Sequence, residues 1–79
     1  MYVVYILQSQ TSGRFYIGHT KDLVQRLKDH NRGSTKSTKG RGPWKVVYKE
    51  QWFTKQEAWS REHKIKSYKG GEAFKKLLL

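Results

Sequence analysis

The sequence predicts an α+β fold in which a three-stranded antiparallel-type sheet is flanked by helices, in the order β-β-α-β-α-(α). Two observations predict it: short alternating apolar runs typical of strands, and two later segments with helix caps and helical spacing of apolar residues. The chain has 79 residues, no cysteine and one proline. We therefore expect one small domain, residues 1–79, without a disulfide, a thiolate metal site or a cysteine nucleophile.

The first two strands are predicted to form a hairpin. Residues Tyr2–Leu7 are apolar on both alternating faces, which is typical of a strand that is covered on both sides. Turn residues follow at Ser9–Gly13, and Arg14–His19 is the second strand. Depending on where the turn is centred, Tyr5 and Tyr16 are either direct or diagonal neighbours across the hairpin.

A helix and a third strand are predicted next. Thr20 is the expected N-cap of the first helix, which runs to about Arg32 and ends at Gly33 as its C-cap. After a polar loop, Trp44–Phe53 carries β-branched and aromatic residues and is the third strand.

The second helix is predicted from its capping box. Thr54–Glu57 has the capping-box pattern and begins a helix that extends to about Lys69. Gly70–Gly71 breaks this helix, and Glu72–Leu79 forms a short terminal helix or turn.

The first helix carries a pair of polar residues beside its apolar face. Leu23, Val24 and Leu27 define the expected buried arc. Arg26 and His30 are four residues apart, so they stack on one side of the helix at the edge of that arc. Such a pair is either part of a functional site or a helix-border pair whose stems cover apolar surface.

The second helix places a carboxylate inside its apolar arc. At about 100° per residue from Ala58, Ile65 falls at about −20°, Glu62 at about +40° and Trp59 at about +100°, so Glu62 lies inside the apolar arc. A carboxylate is seldom found there unless it is paired or holds a metal. A salt bridge to Lys66 or Arg26 and a metal site are both compatible with this pattern.

The charge balance indicates a polyanionic partner. Seventeen Lys and Arg against six Asp and Glu give a net charge of +11, and 14% of the residues are aromatic, which favours a folded domain over a disordered chain. Nucleic acid is the preferred partner and an acidic membrane the second, weaker one, because the chain has no basic amphipathic helix with a large exposed apolar face. With no visible signal peptide and no run near the ~20 apolar residues of a membrane span, we expect a cytoplasmic protein.

Much of this charge lies between Asn31 and Lys49, a segment without any acid. Within it, Gly33–Pro43 is small, polar and punctuated by glycine, and is predicted to be a flexible loop. Hydroxyls, backbone amides and cations along such a loop suit a phosphate backbone, although a solvated loop that contacts nothing is the simpler alternative. The candidate nucleic-acid-binding cations here are Arg32, Lys36, Lys39, Arg41 and Lys45.

The predicted hairpin carries two short motifs, Val3-Val4-Tyr5 on its first strand and Tyr16-Ile17-Gly18 on its second. With them, the chain resembles the GIY-YIG nuclease superfamily, and specifically its small stand-alone members, which are similar to the N-terminal domain of the excinuclease C subunit. Val3-Val4-Tyr5 stands where the first motif, G-I-Y, belongs, and Tyr16-Ile17-Gly18 is the second motif unaltered. The resemblance covers essentially the whole chain. It departs from the family in the two valines of the first motif and in His19, which replaces the lysine that follows the second motif in the excinuclease.

Three further positions match the family's functional residues. Arg26, ten residues after Tyr16, matches the arginine of the first helix, and His30 occupies a position filled by His or Tyr in relatives. Glu62 matches the glutamate that binds the metal.

The resemblance implies a metal-dependent endonuclease that hydrolyses phosphodiester bonds in DNA, with structure-selective or weakly sequence-selective cleavage in repair or recombination. One divalent cation, Mg²⁺ or Mn²⁺, is expected on Glu62, and Arg26 is expected to stabilise the scissile phosphate. Tyr5 is the leading general base, with Tyr16 or His30 assisting. A tyrosine with its ordinary pKa of about 10 must have that pKa lowered by a cation or metal to work near neutrality.

The alternative is a nucleic-acid-binding module whose nuclease chemistry is lost or vestigial. DNA is the expected substrate, and RNA stays open because contacts to phosphates do not report the sugar. His19 and the loop cations are expected to position the strand without reading bases, so that DNA shape or a partner protein supplies any specificity.

Overall fold

A computed structural model describes residues 1–79 and has the element order predicted from the sequence. Its elements are β1 (Tyr2–Ser9), β2 (Phe15–Thr20), α1 (Leu23–Arg32), β3 (Trp44–Trp52), α2 (Lys55–Ser67) and α3 (Glu72–Leu77). The three strands form one antiparallel sheet in the order β2-β1-β3. The predicted α+β class and topology are confirmed. None of the helices has the length and apolar character that crossing a bilayer requires.

Strand β1 is covered on both faces because it is central in the sheet and lies between two helical layers. On one face, Val4 and Ile6 pack against α2 and α3 through Ala58, Ile65 and Phe74. On the other face, Tyr5 and Leu7 pack with Trp44 and, towards α1, with Leu23 and Leu27. The continuous apolar run predicted to be covered on both sides is thus explained.

The hairpin takes the diagonal register of the two that the sequence allows. Tyr5 pairs with Gly18 and Leu7 pairs with Tyr16, so the two tyrosines lie diagonally across the strands. Their ring centroids are 6.3 Å apart. Because alternate residues share a face, both rings project toward the side of the sheet that α1 covers.

The first helix begins later than predicted. Its N-cap is Asp22, whose carboxylate accepts a hydrogen bond from the N–H of Gln25. The prediction of Thr20 as N-cap is wrong, because its hydroxyl accepts from the N–H of Asp22 and stabilises the turn before the helix. Gly33 ends the helix as predicted, in the left-handed region with φ of +82°.

The buried face of α1 differs from the predicted one at Val24, which is 69% exposed. Leu23, Leu27 and His30 follow one row along the helix, and Val24 is rotated away from it by about 100°. His30 is 1% exposed and is the buried residue of this helix rather than a residue at its border. A histidine therefore occupies the position expected for an aliphatic side chain.

Helix α2 begins at the predicted capping box, in which Thr54 and Glu57 exchange side-chain and backbone hydrogen bonds. It ends at Ser67, slightly before the predicted Lys69. The third strand likewise stops at Trp52, and the next residue, Phe53, is 81% exposed.

The basic loop is anchored at its centre and is not the free segment that its composition predicts. Thr38 is buried, and its carbonyl oxygen accepts a hydrogen bond from the indole N–H of Trp44 at 3.2 Å. At the far end, the hydroxyl of Ser9 donates to the carbonyl of Arg41 at 2.6 Å. The loop cations are therefore attached to a segment tied to the core.

Candidate active site

Three rings from three elements meet on the α1 side of the sheet. The hydroxyl oxygen of Tyr5 in β1 lies 3.0 Å from Nε2 of His30 in α1. The ring of Tyr16 in β2 lies 4.7 Å from the His30 ring between centroids, at a tilt of 59°. We call Tyr5, Tyr16 and His30 the ring cluster.

Burial shifts the pKa values of two members of the ring cluster, Tyr5 and His30. Burial raises the pKa of Tyr5 to about 12, and the neighbouring guanidinium of Arg26 offsets only part of the effect. Burial, together with the positive charge of Arg26, lowers the pKa of His30. Both groups are therefore neutral near pH 7. The cation or metal that was expected to lower the pKa of Tyr5 is not supplied by Arg26 alone, since burial outweighs its charge.

A cationic pocket lies beside the ring cluster. It has a volume of about 410 Å³ and is lined by Tyr2, His19, Thr20, Lys21, Arg26 and Lys55. No acidic side chain lines it, and neither Lys21 nor Lys55 forms an ion pair. The Nε of Arg26 is buried and has no hydrogen-bond partner. A buried donor without a partner costs about 1–3 kcal/mol, so this pocket is chemically suited to an anion.

Two of the pocket's cations were missed by the sequence reasoning. Lys21 lies in the short link between β2 and α1, and Lys55 is the first residue of α2. The ammonium nitrogen of Lys21 lies 5.4 Å from the ring centroid of Tyr2, a cation–π contact. Lys21 could have been identified only by its position three residues after the second motif. Nothing in the sequence distinguishes Lys55 from the other lysines.

Glu62 is buried and fully paired. It is 8% exposed, and its Oε1 accepts from Nδ1 of His19 at 2.5 Å while its Oε2 lies 2.6 Å from Nζ of Lys66. Burial opposes ionisation, but the hydrogen bonds from Lys66 and His19 prevail and hold the pKa of Glu62 below its usual range. Of the two salt bridges considered from the sequence, the one to Lys66 is formed and Arg26 is not the partner.

The carboxylate at this site suits a divalent cation that takes its other ligands from water and from a substrate. His19 contacts Glu62 and also lines the cationic pocket, so this one histidine lies between the carboxylate and the pocket. No group of three or more His, Cys, Asp or Glu side chains gathers anywhere in the chain. A single carboxylate is sufficient for Mg²⁺, which keeps several waters and commonly takes its other ligands from substrate phosphates.

The five candidate nucleic-acid-binding cations, which we call the loop cations, lie apart from the cationic pocket and differ in whether they form ion pairs. Arg32 pairs with Asp29 at 2.5 Å, and its Nε donates to the hydroxyl of Ser34. The remaining four are exposed and form no ion pair: Lys36, Lys39, Arg41 and Lys45. A second pocket, of about 610 Å³, extends from His30 to the loop residue Lys39 and connects the loop with the ring cluster.

The chain is similar to known proteins over most of its length. The sequence profile of the GIY-YIG catalytic domain matches residues 1–75. UPF0213 proteins from Staphylococcus aureus strains Mu3 and Mu50 are each 46% identical over 66 residues, which cover 82% of this chain and 79% of the relative. The solution NMR structure of the UPF0213 protein BH0048 from Bacillus halodurans is 35% identical and covers 92% of this chain and 90% of that chain, with a TM-score of 0.49.

Proposed function

The chain belongs to the GIY-YIG family, and from that membership we propose that it is a metal-dependent endonuclease that hydrolyses phosphodiester bonds in DNA. The family supports a nuclease-type function and a nucleic-acid substrate. The observation that carries the finer proposal is that His19 joins the buried, ionised Glu62 to a cationic pocket lined by Arg26, whose Nε has no hydrogen-bond partner.

The cationic pocket would receive the scissile phosphate. An oxygen of that phosphate would contact the guanidinium of Arg26, which lines the pocket, and the planar group would stabilise the charge that develops as water attacks. Lys21 and Lys55 line the same pocket and are exposed enough to contact the phosphates on either side. The strand is then held through its backbone alone.

Glu62 would hold the divalent cation, Mg²⁺ or Mn²⁺, together with the substrate phosphate and water. GIY-YIG nucleases generally use a divalent metal. Such an ion, when bound, neutralises charge on the phosphate and on the departing 3′ oxygen. Without it, Lys66 balances the carboxylate, and because that side chain is half-exposed it can turn into solvent when a cation takes its place.

Tyr5 would act as general base by passing its own proton to His30. With its pKa raised to about 12, the phenol does not ionise by itself near neutrality. The neutral imidazole 3.0 Å away supplies an acceptor, so that Tyr5 takes a proton from water as His30 takes one from Tyr5. Tyr16, the other phenol beside His30, is the alternative base.

We expect cleavage that is structure-selective or weakly sequence-selective, in repair or recombination. The cationic pocket and the loop cations would contact phosphates, which carry no base information. A partner protein or the shape of the DNA would then choose the site.

The test uses wild type, Glu62→Gln and the matched control Glu72→Gln, whose side chain is 84% exposed on α3. Each is incubated with branched, nicked and single-stranded DNA, and with RNA, in Mg²⁺, Mn²⁺ or chelator. We expect ion-dependent cleavage by wild type and the control, and none by Glu62→Gln. Binding without cleavage by all three proteins would overturn the proposal in favour of a binding module.

A further inference from the structure

One hydroxyl of the basic loop is buried against the ring cluster. Thr38 is 1% exposed, whereas its neighbours Ser37 and Lys39 are exposed. Its Oγ1 lies 2.8 Å from Nδ1 of His30, on the opposite side of the imidazole from Tyr5. The two ring nitrogens of His30 therefore have one partner each, and both partners are hydroxyls.

The backbone of Thr38 is held in place from several directions. Its N–H donates to the carbonyl of Thr35 at 3.1 Å, and its own carbonyl accepts from the N–H of Arg41 at 3.3 Å. The same carbonyl accepts from the indole of Trp44, which is itself 5% exposed. These bonds give the Thr38 hydroxyl a defined position next to His30.

The direction of each hydrogen bond follows from the partners that can only accept. The Thr38 hydroxyl also lies 3.3 Å from the carbonyl oxygen of Thr35, and it donates its single proton there. With that proton directed at the Thr35 carbonyl, the lone pairs of the hydroxyl face His30, and this arrangement assigns the proton of the neutral ring to Nδ1. Nε2 is then unprotonated, and its lone pair accepts the hydrogen bond from the O–H of Tyr5.

We infer that Thr38 is a positioning residue, which holds His30 in the Nδ1–H tautomer so that Nε2 can accept the proton of Tyr5. The catalytic consequence rests on the proposed function, whereas the tautomer does not. In the opposite tautomer, Nε2–H would donate to the Tyr5 oxygen, and the unprotonated Nδ1 would face Thr38, so no nitrogen next to the phenol could take its proton. The loop that carries the cations would thereby also set the protonation of the ring cluster.

The test compares Thr38→Val, which keeps the shape but removes the hydroxyl, with Thr38→Ser, which keeps the hydroxyl. Ser37→Ala is the matched loop control, since that side chain is exposed. The tautomer is read from the ¹⁵N chemical shifts of the imidazole nitrogens, with the His30 signals assigned by their loss in His30→Gln. The chain has three histidines, which keeps the spectrum simple.

We expect an Nδ1–H signature for His30 in wild type, Thr38→Ser and Ser37→Ala, and a shift toward Nε2–H in Thr38→Val. Cleavage by Thr38→Val should fall by about 10²-fold or more, the range lost with a general base, while Thr38→Ser stays near wild type. Salt-dependent DNA binding should be the same in all four proteins, which separates this effect from a loss of substrate affinity.

An Nε2–H signature in wild type would overturn the inference, even if Thr38→Val fails to fold. An unchanged Nδ1–H signature in a folded Thr38→Val would do the same. If wild type cleaves nothing, the proposed function fails on its own, and the ¹⁵N spectra still decide whether Thr38 sets the tautomer.

Discussion

A Cβ atom added to Gly18 in β2 would lie 2.7 Å from the hydroxyl oxygen of Tyr5 in β1 and 2.9 Å from its Cζ. The two residues are direct partners across the hairpin, and Tyr5 is 1% exposed, so its ring has no free space into which it can move. The glycine of the second motif is thus needed for the volume it leaves empty. That volume lets the phenol lie across β2 and reach His30.

Gly18→Ala should destabilise the protein by about 1–3 kcal/mol, the usual cost of overpacking a core, as measured by urea denaturation. The displaced Tyr5 hydroxyl should also lose its contact with His30, so cleavage should fall. Tyr5→Phe removes the atom closest to the added Cβ. The double variant should therefore be destabilised by less than the sum of the destabilisations of the two single variants. Strict additivity would contradict the steric explanation.

Arg26→Lys should lower the rate of cleavage about 10²–10³-fold, because an ammonium cannot replace the planar guanidinium at the phosphate. DNA affinity and its salt dependence should change little, since the charge is kept. The matched control is Arg32→Lys at the exposed end of α1, where the arginine pairs with Asp29. Equal rates for the two variants in single-turnover cleavage would exclude Arg26 from the site.

Glu50 should contribute acid-sensitive stability on the other side of the molecule. Burial opposes its ionisation, but hydrogen bonds from Tyr48, Arg61 and Trp52 prevail and hold the pKa of Glu50 below its usual range. A carboxyl group with a lowered pKa stabilises the fold above its unfolded pKa of about 4.3, and this contribution is lost as pH falls through the lower folded pKa.

Glu50→Gln should therefore reduce the free energy of unfolding by about 1–3 kcal/mol at pH 7. The difference from wild type should shrink as pH falls below about 4, because protonated Glu50 resembles glutamine. Urea denaturation at several pH values measures this difference in the free energy of unfolding, and Glu72→Gln is the exposed control. A difference that stays constant or grows on acidification would show that the charge of Glu50 is not what stabilises the fold.

The exposed loop cations should bind DNA without taking part in the chemistry. Single variants Lys36→Gln, Lys39→Gln and Arg41→Gln should each reduce the slope of log affinity against log salt by up to ~0.9 on duplex DNA. Cleavage at saturating DNA should stay unchanged. Lys75→Gln on α3, 70% exposed, is the control. Slopes that match this control would mean that the loop contacts no phosphate.

Local patterns in the chain were sufficient for the elements and for the anomaly of Glu62. The capping box at Thr54, the glycine stop at Gly33 and the apolar run of β1 each act over a few residues, where steric and hydrogen-bonding preferences hold regardless of the rest of the fold. Thr20 was predicted as the N-cap that Asp22 provides, because the side chains of both residues can accept from nearby N–H groups. The assignments of Val24 and of the loop failed because exposure depends on what packs against a segment.

By itself, then, the sequence determined an antiparallel α+β domain, its strong positive charge and a carboxylate placed among apolar residues. Only the tertiary structure decided which side chains meet: His19 with Glu62 across 43 residues, Tyr5 with His30 across 25, and Lys21 with Lys55 around one pocket. The physical reason is that periodicity reports the face on which a residue lies. The partner on that face, and the direction in which a proton is shared with it, depend on how the helices and the loop pack against the sheet.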